Sequence, residues 1–496
     1  MITALTFAPA VAALLIVLLP RERREEMRLI ALGGALFSLV MTLSAIAMWG
    51  YTADPLTERV SWITALGIDY HVGLDGLNAL VLLLAALLAP LAVLASWRQK
   101  ENPKVFFALL SLQFTGLFGA FTALNFFHWF LFWEAALVPA FFLIKMFGHG
   151  ENRHGAALNF FLLTVLGSVA MLVGFLVVYH ETGTFDFLAL AEMARTKPIA
   201  ISSLAFCGIL AGLWVKVPLV PLHIWQAPAY AAAPTPVVML LTGVMSKMGV
   251  YAFLRIVVEI FPHQLSTHAA GLLGFALVTI LWGAFLALRQ TDLKKVLAFS
   301  SLNHVAYCIL GVGALGVALT QSQTILVMDE RALALQGVIL QMFAHGLSAA
   351  GLFYLVGVLE ERTGQRGLHD FGGLSRATPR FAAAFYILTF CSLGLPFLAG
   401  FAAEFLIFSG AFAVASTVTV LATLGLLATA VFLLTMLQRI FTGPTPDRLA
   451  EMPDLSPRET LVLLPILILV FWAGIAPGTF INLGQSAVQG IVDLSF

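Results

Sequence analysis

Apolar runs of about twenty residues follow one another along almost the whole chain, separated by short polar connections. A run of that length is what one helix needs to cross ~30 Å of hydrocarbon. A window reading predicts about fourteen spans, the first centred near Leu14, the twelfth near Leu393 and the last near Leu467. Strand-length alternation is missing from these runs, which argues against a β-barrel. The expected fold is an all-α polytopic membrane protein, a single membrane domain over residues 1–496. The longest connections, near 50–74, 180–198, 315–333 and 360–378, are too short to be domains.

Two runs carry breakers. One reads KVPLVPLHIWQAPAYAAAPTP from Lys216, and the other reads LGLPFLAGFAAEF around Pro396 and Gly400. Proline removes a backbone donor and clashes with the preceding turn. Irregular backbone at membrane depth is tolerated only where protein buries it or where it lines a wet cavity. Broken spans in corresponding places of two halves point to an inverted-repeat transporter core. The breaks fall in the seventh and twelfth spans, which predicts two inverted five-helix repeats, approximately 100–260 and 269–440, flanked by helices at both ends.

Composition agrees with this picture: 60% of residues are hydrophobic and 10% charged, against about 25% charged in a soluble domain. The formal net charge is zero and no basic tail is present, so nothing points to nucleic acid. Cys207, Cys308 and Cys391 are far apart inside apolar runs and read as small buried hydrophobes, with no CxxC for zinc or iron–sulfur. No glycine-rich nucleotide loop is visible. The first apolar run lacks a basic leader and reads as a retained helix. With the N-terminus outside, odd-numbered connections carry most of the basic residues, among them Arg21, Arg98, Lys104, Arg153, Lys294, Arg366 and Arg448. The even-numbered ones carry only Arg59, Arg195, Lys197, Arg255 and Arg331. The positive-inside rule then places both termini on the outer side, in a bacterial inner (cytoplasmic) membrane.

Four charges interrupt the apolar runs: Glu134, Lys216, Lys247 and Glu404. Each costs roughly 2.5–3.5 kcal/mol at the bilayer centre unless it pairs or lines a wet path. Such a pattern suits a protein that moves protons or ions. Glu134 and Lys216 are candidates for an ion pair on different helices, whose opening and closing would let Lys216 bind and release a proton. Lys247 has no acidic neighbour in its own run and is the candidate central carrier. His304, among Ser300, Ser301, Asn303 and Tyr307, and His345, followed by Ser348, are candidates for a relay leading to Glu404 as the exit carrier. The plainer readings are a helix–helix hydrogen bond for each histidine, snorkelling for the lysines and a cap for Glu404. His128 with Trp129 and His223 with Trp225 read as interfacial, and Asp292 as a first-turn acid at a helix N-terminus.

The stretches VGLDGLNALVLLLAALLAPL, FWEAALVPAFFLI, KVPLVPLHIW, APTPVVMLLTGVMSKMGVYAFLR, TDLKKVLAFSSLNHVAY, AHGLSAAGLFYLVGVLEERTG and GLPFLAGFAAEFLIF occur in this order. In them the chain resembles the antiporter-like subunits of proton-pumping NADH:quinone oxidoreductase (respiratory complex I), a family shared with multisubunit cation/proton antiporters and membrane-bound hydrogenases. The resemblance is closest to the M-type chain, because Glu404 stands where L- and N-type chains carry lysine and no long lateral helix follows the last span. It implies that Glu134 and Lys216 are the glutamate–lysine pair, Lys247 the central lysine, His304 and His345 the connecting histidines and Glu404 the exit carboxylate. It also implies a proton-translocating subunit of a translocase, without redox chemistry or cofactors of its own. NADH, FMN, iron–sulfur clusters and quinone would be held by partner subunits, and paralogous antiporter-like chains would be its membrane neighbours. The rivals are a subunit of a sodium/proton antiporter or related non-NADH complex, and an assembly subunit that no longer pumps. Two departures stand out: the family's WLPDAHTEAP is WQAPAYAAAP here, from Trp225 to Pro234, and Asn159 replaces a family lysine.

Overall fold

The computed structural model describes residues 1–52, 55–320 and 325–493. The chain is mostly helical, with ten helices long and apolar enough to cross a membrane among the described residues. Four more apolar helices are shorter: Ile2–Leu18, Ala79–Ala95, Ser203–Lys216 and Ala399–Val414. The all-α expectation needs one correction. Leu56–Ile63 and Ile68–Leu74 pair as an antiparallel hairpin inside the connection expected near 50–74. TERVSWI is too mixed in polarity to register against an apolar-run search. Of the connection expected near 315–333, residues 321–324 lie outside the described residues, and the next helix begins at Ile325.

The hairpin covers one end of the bundle. His71 donates or accepts at 2.6 Å with Asp186, which also caps the helix Phe187–Thr196 by accepting from Ala189 N at 3.0 Å. Burial raises the Asp186 carboxyl, but these hydrogen bonds outweigh it and hold the group below the usual carboxylate range. His128 is buried under this end, its ring 4.8 Å from Trp62 and 4.9 Å from Tyr70.

Three helices form the enclosed axis of the molecule. The apolar windows of Thr235–Val258 and Glu330–Thr363 are entirely buried and that of Leu293–Ala318 is 94% buried, against 28% for Arg24–Gly50. The outer helices therefore face lipid, and any charge on the three inner ones must be satisfied within the protein. Small residues bring the helices together. A Cβ on Gly346 would stand 2.8 Å from Gly243 O, and one on Gly116 would stand 2.6 Å from Ala136 Cα. These are the backbone-to-backbone contacts that small residues allow in membranes.

Both expected breaks are present. The first broken helix runs Ser203–Lys216, then resumes as Gln226–Ala232. Side chains meet the backbone that the break frees. Trp225 Nε1 donates to Val215 O at 3.0 Å, Trp214 Nε1 to Val220 O at 3.2 Å, and Val220 N donates to Thr279 Oγ1 at 3.1 Å. The second broken helix runs Pro379–Ser392, then Ala399–Val414, so the centre expected near Leu393 falls in the gap between them. Gly394 sits there at φ +69°, and a Cβ on Gly400 would collide with Cys391 O. Cys308 and Cys391 are buried as expected, but Cys207 is exposed on the outer surface of its helix.

Further buried charges lie at the helix ends. Arg255 is 1% exposed and donates to both Asp75 oxygens at 2.5 and 2.7 Å and to Glu259 at 3.0 Å, tying the axis helix to the hairpin end. At the opposite end Lys294 is fully buried and lies 2.6 Å from Glu360, while Arg366 bridges Glu360 at 3.2 Å and Asp292 at 2.7 Å. Asp292 also caps its helix by accepting from Lys295 N at 3.2 Å.

Two outcomes follow for stability. Gly116→Leu drives a side chain into the backbone of Ala136, which cannot yield. Thermal unfolding in detergent should fall by about 1–3 kcal/mol equivalent. Asp75→Ala leaves Arg255 with one of its two carboxylates. A loss of about 3–5 kcal/mol is expected by the same assay, the cost of breaking a buried pair.

Candidate proton-transfer site

The helix Thr235–Val258 is not regular. It widens to π-helical turns over Leu241–Met245 and Phe253–Val258, on either side of the turn that carries Lys247. Such bulges free carbonyl groups and concentrate at functional sites. Here the carbonyl of Thr242 is turned to the side chains: Ser246 Oγ donates to it at 2.9 Å and Lys247 Nζ at 2.5 Å. Lys247 is 1% exposed. Its other two donors meet Ser246 Oγ at 3.3 Å and His345 Nδ1 at 2.8 Å. An ammonium has three N–H groups, and all three have partners, none of them a carboxylate.

His345 stacks on His304, with ring centroids 5.2 Å apart and planes 9° from parallel. The close approach at Gly346 and Gly243 sets the spacing between Lys247 and His345. His304 lies one helix further on. Its Nδ1 faces Ser300 O at 2.7 Å, and its Nε2 faces Ser392 O at 2.8 Å, at the first edge of the second break. Two carbonyl oxygens accept and never donate. Only the imidazolium, with a proton on each nitrogen, satisfies both contacts. Glu404 Oε1 stands 3.5 Å from His304 Nε2, a counter-charge for that form. Glu404 Oε2 would be 2.9 Å from a Cβ on Gly394, so the left-handed glycine of the break also makes room for the carboxylate. Tyr307 packs edge-on against His304 at 5.5 Å, and Ser392 Oγ joins Ser348 Oγ at 3.2 Å.

The structure thus brings four of the six candidate residues into one line: Lys247, His345, His304 and Glu404. Neither Lys216 Nζ nor Glu134 Oε1 joins that line by a hydrogen bond. Lys216 is 2% exposed and ends the first half of its broken helix. No ion pair within 4 Å joins it to Glu134. Lys216 Nζ lies 4.7 Å above the Trp133 ring instead, and Glu134 is the charge that acts on it across the gap. The reason is local: Trp133 Nε1 is tied to Ser168 Oγ at 3.0 Å, which fixes the indole in front of the lysine. Neither Lys216 Nζ nor Glu134 Oε1 has a hydrogen-bond partner.

Reading the sequence missed the polar residues that dress Lys247. Thr242 and Ser246 lie in the same apolar run as Lys247, at i, i+4, a signal that was present. Lys294 read as a loop cation because it stands at the edge of its run. Its pairing with Glu360 joins positions 66 residues apart and leaves no local mark. Asn159 is exposed on the outer surface of its helix.

Comparison with known proteins gives a consistent result. The family described as NADH:quinone oxidoreductase/Mrp antiporter, transmembrane region, matches residues 123–431. A Thermosynechococcus vestitus protein named NAD(P)H-quinone oxidoreductase chain 4 2 is 34% identical over 490 residues, covering 96% of this chain and 89% of its own length. NADH-quinone oxidoreductase subunit M of Escherichia coli is 34% identical over 480 residues, covering 92% of this chain and 91% of its own. Among solved structures, a chain of respiratory complex I from Thermus thermophilus with bound NADH superposes with a TM-score of 0.87 at 28% identity, covering 100% of this chain and 99% of that one. The chain belongs to the NADH:quinone oxidoreductase/Mrp antiporter family of transmembrane proteins.

Proposed function

We propose that the chain is the M-type proton-translocating membrane subunit of an NADH:quinone oxidoreductase. The observation that carries this reading is the line Lys247–His345–His304–Glu404, whose first three members lie on the three enclosed helices. Similarity to quinone oxidoreductase chains over nearly the whole length favours this complex over a sodium/proton antiporter. Electron transfer, with NADH, FMN, iron–sulfur clusters and quinone, belongs to partner subunits, and other antiporter-like chains flank this one.

In this reading the chain has about fourteen spans, counting the four shorter apolar helices with the ten long ones. The two broken helices head corresponding places in inverted five-helix repeats near 100–260 and 269–440. The Glu360 end, rich in arginine and lysine, faces the cytoplasm, and the hairpin end and both termini face outward across a bacterial inner membrane.

The chemistry follows from which atoms donate and accept. Lys247 holds a proton as ammonium and donates toward His345 Nδ1. Transfer leaves a neutral amine and a protonated His345. Once His304 has given a proton from Nε2 to Glu404, it can take the proton from His345, and its two carbonyl partners and nearby carboxylate again hold it as imidazolium. Release goes from Nε2 to Glu404 and then outward. Closing Glu134 onto Lys216 would draw positive charge away from the lysine line, and opening it would push a proton along. The separation of that pair beside Trp133 corresponds to the open arrangement.

Lys247→Ala removes the only amine in the line. NADH-driven proton pumping by inverted membrane vesicles should fall at least ~10-fold, and pumping at the parental rate in assembled complex would reject the reading. Gly394→Ala places a methyl group against Glu404 Oε2 at a left-handed position. Pumping should weaken while the complex still assembles on a native gel. Sodium transport without NADH would move the chain to the antiporter branch.

A further inference from the structure

We propose that the seam between the turn after Ile2–Leu18 and the start of Pro103–Thr122 binds one anionic phospholipid. Its phosphate sits among Arg21, Arg24, Lys100 and Lys104, and an acyl chain runs along the apolar stripe beside them. The site lies outside the lysine–histidine line and does not depend on how that line works.

The cations come from two connections far apart in sequence. The first apolar helix ends at Leu18, the chain turns through Arg21, and Arg24 opens the next helix. Lys100 precedes the helix Pro103–Thr122 and Lys104 stands in its first turn. Packing joins the two connections: Lys104 Nζ donates to Leu19 O at 2.8 Å and Arg28 Nη2 to Gln99 O at 3.3 Å. A cavity of about 500 Å³ opens there, inside the ~300–1,000 Å³ range of small-molecule sites.

The charge of this cavity is one-sided. Glu22, Glu25, Glu26 and Glu101 occur in the same two segments, yet none of them lines it. Glu25 pairs with Arg28 and Glu26 with Arg23 instead. Among the described residues, none of the four lining cations has an ion pair. Lys104 keeps two N–H groups beyond its bond to Leu19 O. Like charges gathered in one concavity repel each other and raise the local concentration of an anion. A phosphate diester supplies the missing negative charge.

The floor of the cavity makes the ligand a lipid. Val105, Leu109 and Leu112 recur at i, i+4 and i+7, one stripe ~10 Å long down the helix. Val17 of the neighbouring helix lines the other side. Val17, Val105 and Leu112 are exposed, and on membrane-spanning helices that surface meets hydrocarbon. The stripe begins at the charges and descends along about two-thirds of a ~15 Å leaflet. Basic pockets between membrane helices take anionic head groups in this way. Bound there, the lipid bridges the peripheral helix Arg24–Thr52 to Pro103–Thr122, whose apolar window is 83% buried.

The test uses the assembled complex, washed in mild detergent and titrated with phosphatidylglycerol or phosphatidylcholine, with bound lipid counted by native mass spectrometry. The triple variant Arg21→Gln, Arg24→Gln, Lys100→Gln changes only exposed side chains. It should lose one bound phosphatidylglycerol or hold it at least ~10-fold more weakly, with phosphatidylcholine unchanged. A control triple, Arg289→Gln, Arg376→Gln, Arg439→Gln, removes exposed cations from other helix ends and should bind as the parent does. Equal loss in both triples would reduce the effect to general attraction and overturn the site, as would parental binding in the first. Val105→Trp fills the stripe and keeps every cation, so it should also weaken phosphatidylglycerol. Undiminished binding in that variant would leave an anion cradle and overturn the lipid assignment.

Discussion

An amine in the middle of a hydrocarbon slab needs partners for three N–H groups, and the interior of this protein is arranged around meeting that need at Lys247. A lone ammonium there would cost several kcal/mol. The surrounding bundle answers without a carboxylate, using a carbonyl, a hydroxyl and an imidazole. That choice has a functional consequence. A carboxylate at contact distance would hold the proton by charge. Neutral acceptors hold it by geometry alone, so a modest change in the surrounding field shifts where the proton rests.

The irregular backbone supplies what the side chains could not. A carbonyl inside a regular helix already accepts one ladder hydrogen bond, so carbonyls at irregular turns are the freer ones to offer a side chain. The π-helical turn turns Thr242 O to Lys247, and the second break turns Ser392 O to His304. In hydrocarbon such freed groups would be ruinous, which is why they occur on the enclosed helices or where tryptophan and threonine side chains meet them. Irregularity and enclosure are therefore one feature. Glycine contacts make the enclosure tight enough: Gly243 against Gly346 sets the Lys247–His345 distance, and Gly394 and Gly400 set the second break beside Glu404.

The ends of the bundle are fixed by charge clusters of different build. Arg255 with Asp75 and Glu259 anchors the end of the Lys247 helix nearer the hairpin to the residues that follow the hairpin. Lys294, Glu360, Arg366 and Asp292 hold the other end, where Arg366 and Lys294 also bond the last carbonyls of the first broken helix. The π-helical turn Leu241–Met245 lies between these two charge clusters.

The sequence by itself determined the class of the protein and the residues of its line. Long apolar runs admit few other architectures in a membrane. A charge inside such a run is conspicuous because hydrocarbon penalises it, so Lys216, Lys247, Glu134 and Glu404 were legible, as were the two breaks, marked by proline and glycine. The histidines were legible only as candidates, since one membrane histidine looks like another until its partners are known. Tertiary structure alone decided the rest. It separated Lys216 from Glu134 by fixing Trp133 on Ser168, and it placed carbonyl oxygens on both nitrogens of His304. It also paired Lys294 with Glu360 and Arg255 with Asp75, and it folded a hairpin from a stretch read as a loop. The physical reason is common to these cases. Hydropathy is a property of one segment, whereas a hydrogen bond or ion pair between distant segments depends on helix rotation and packing, which no single stretch of sequence records.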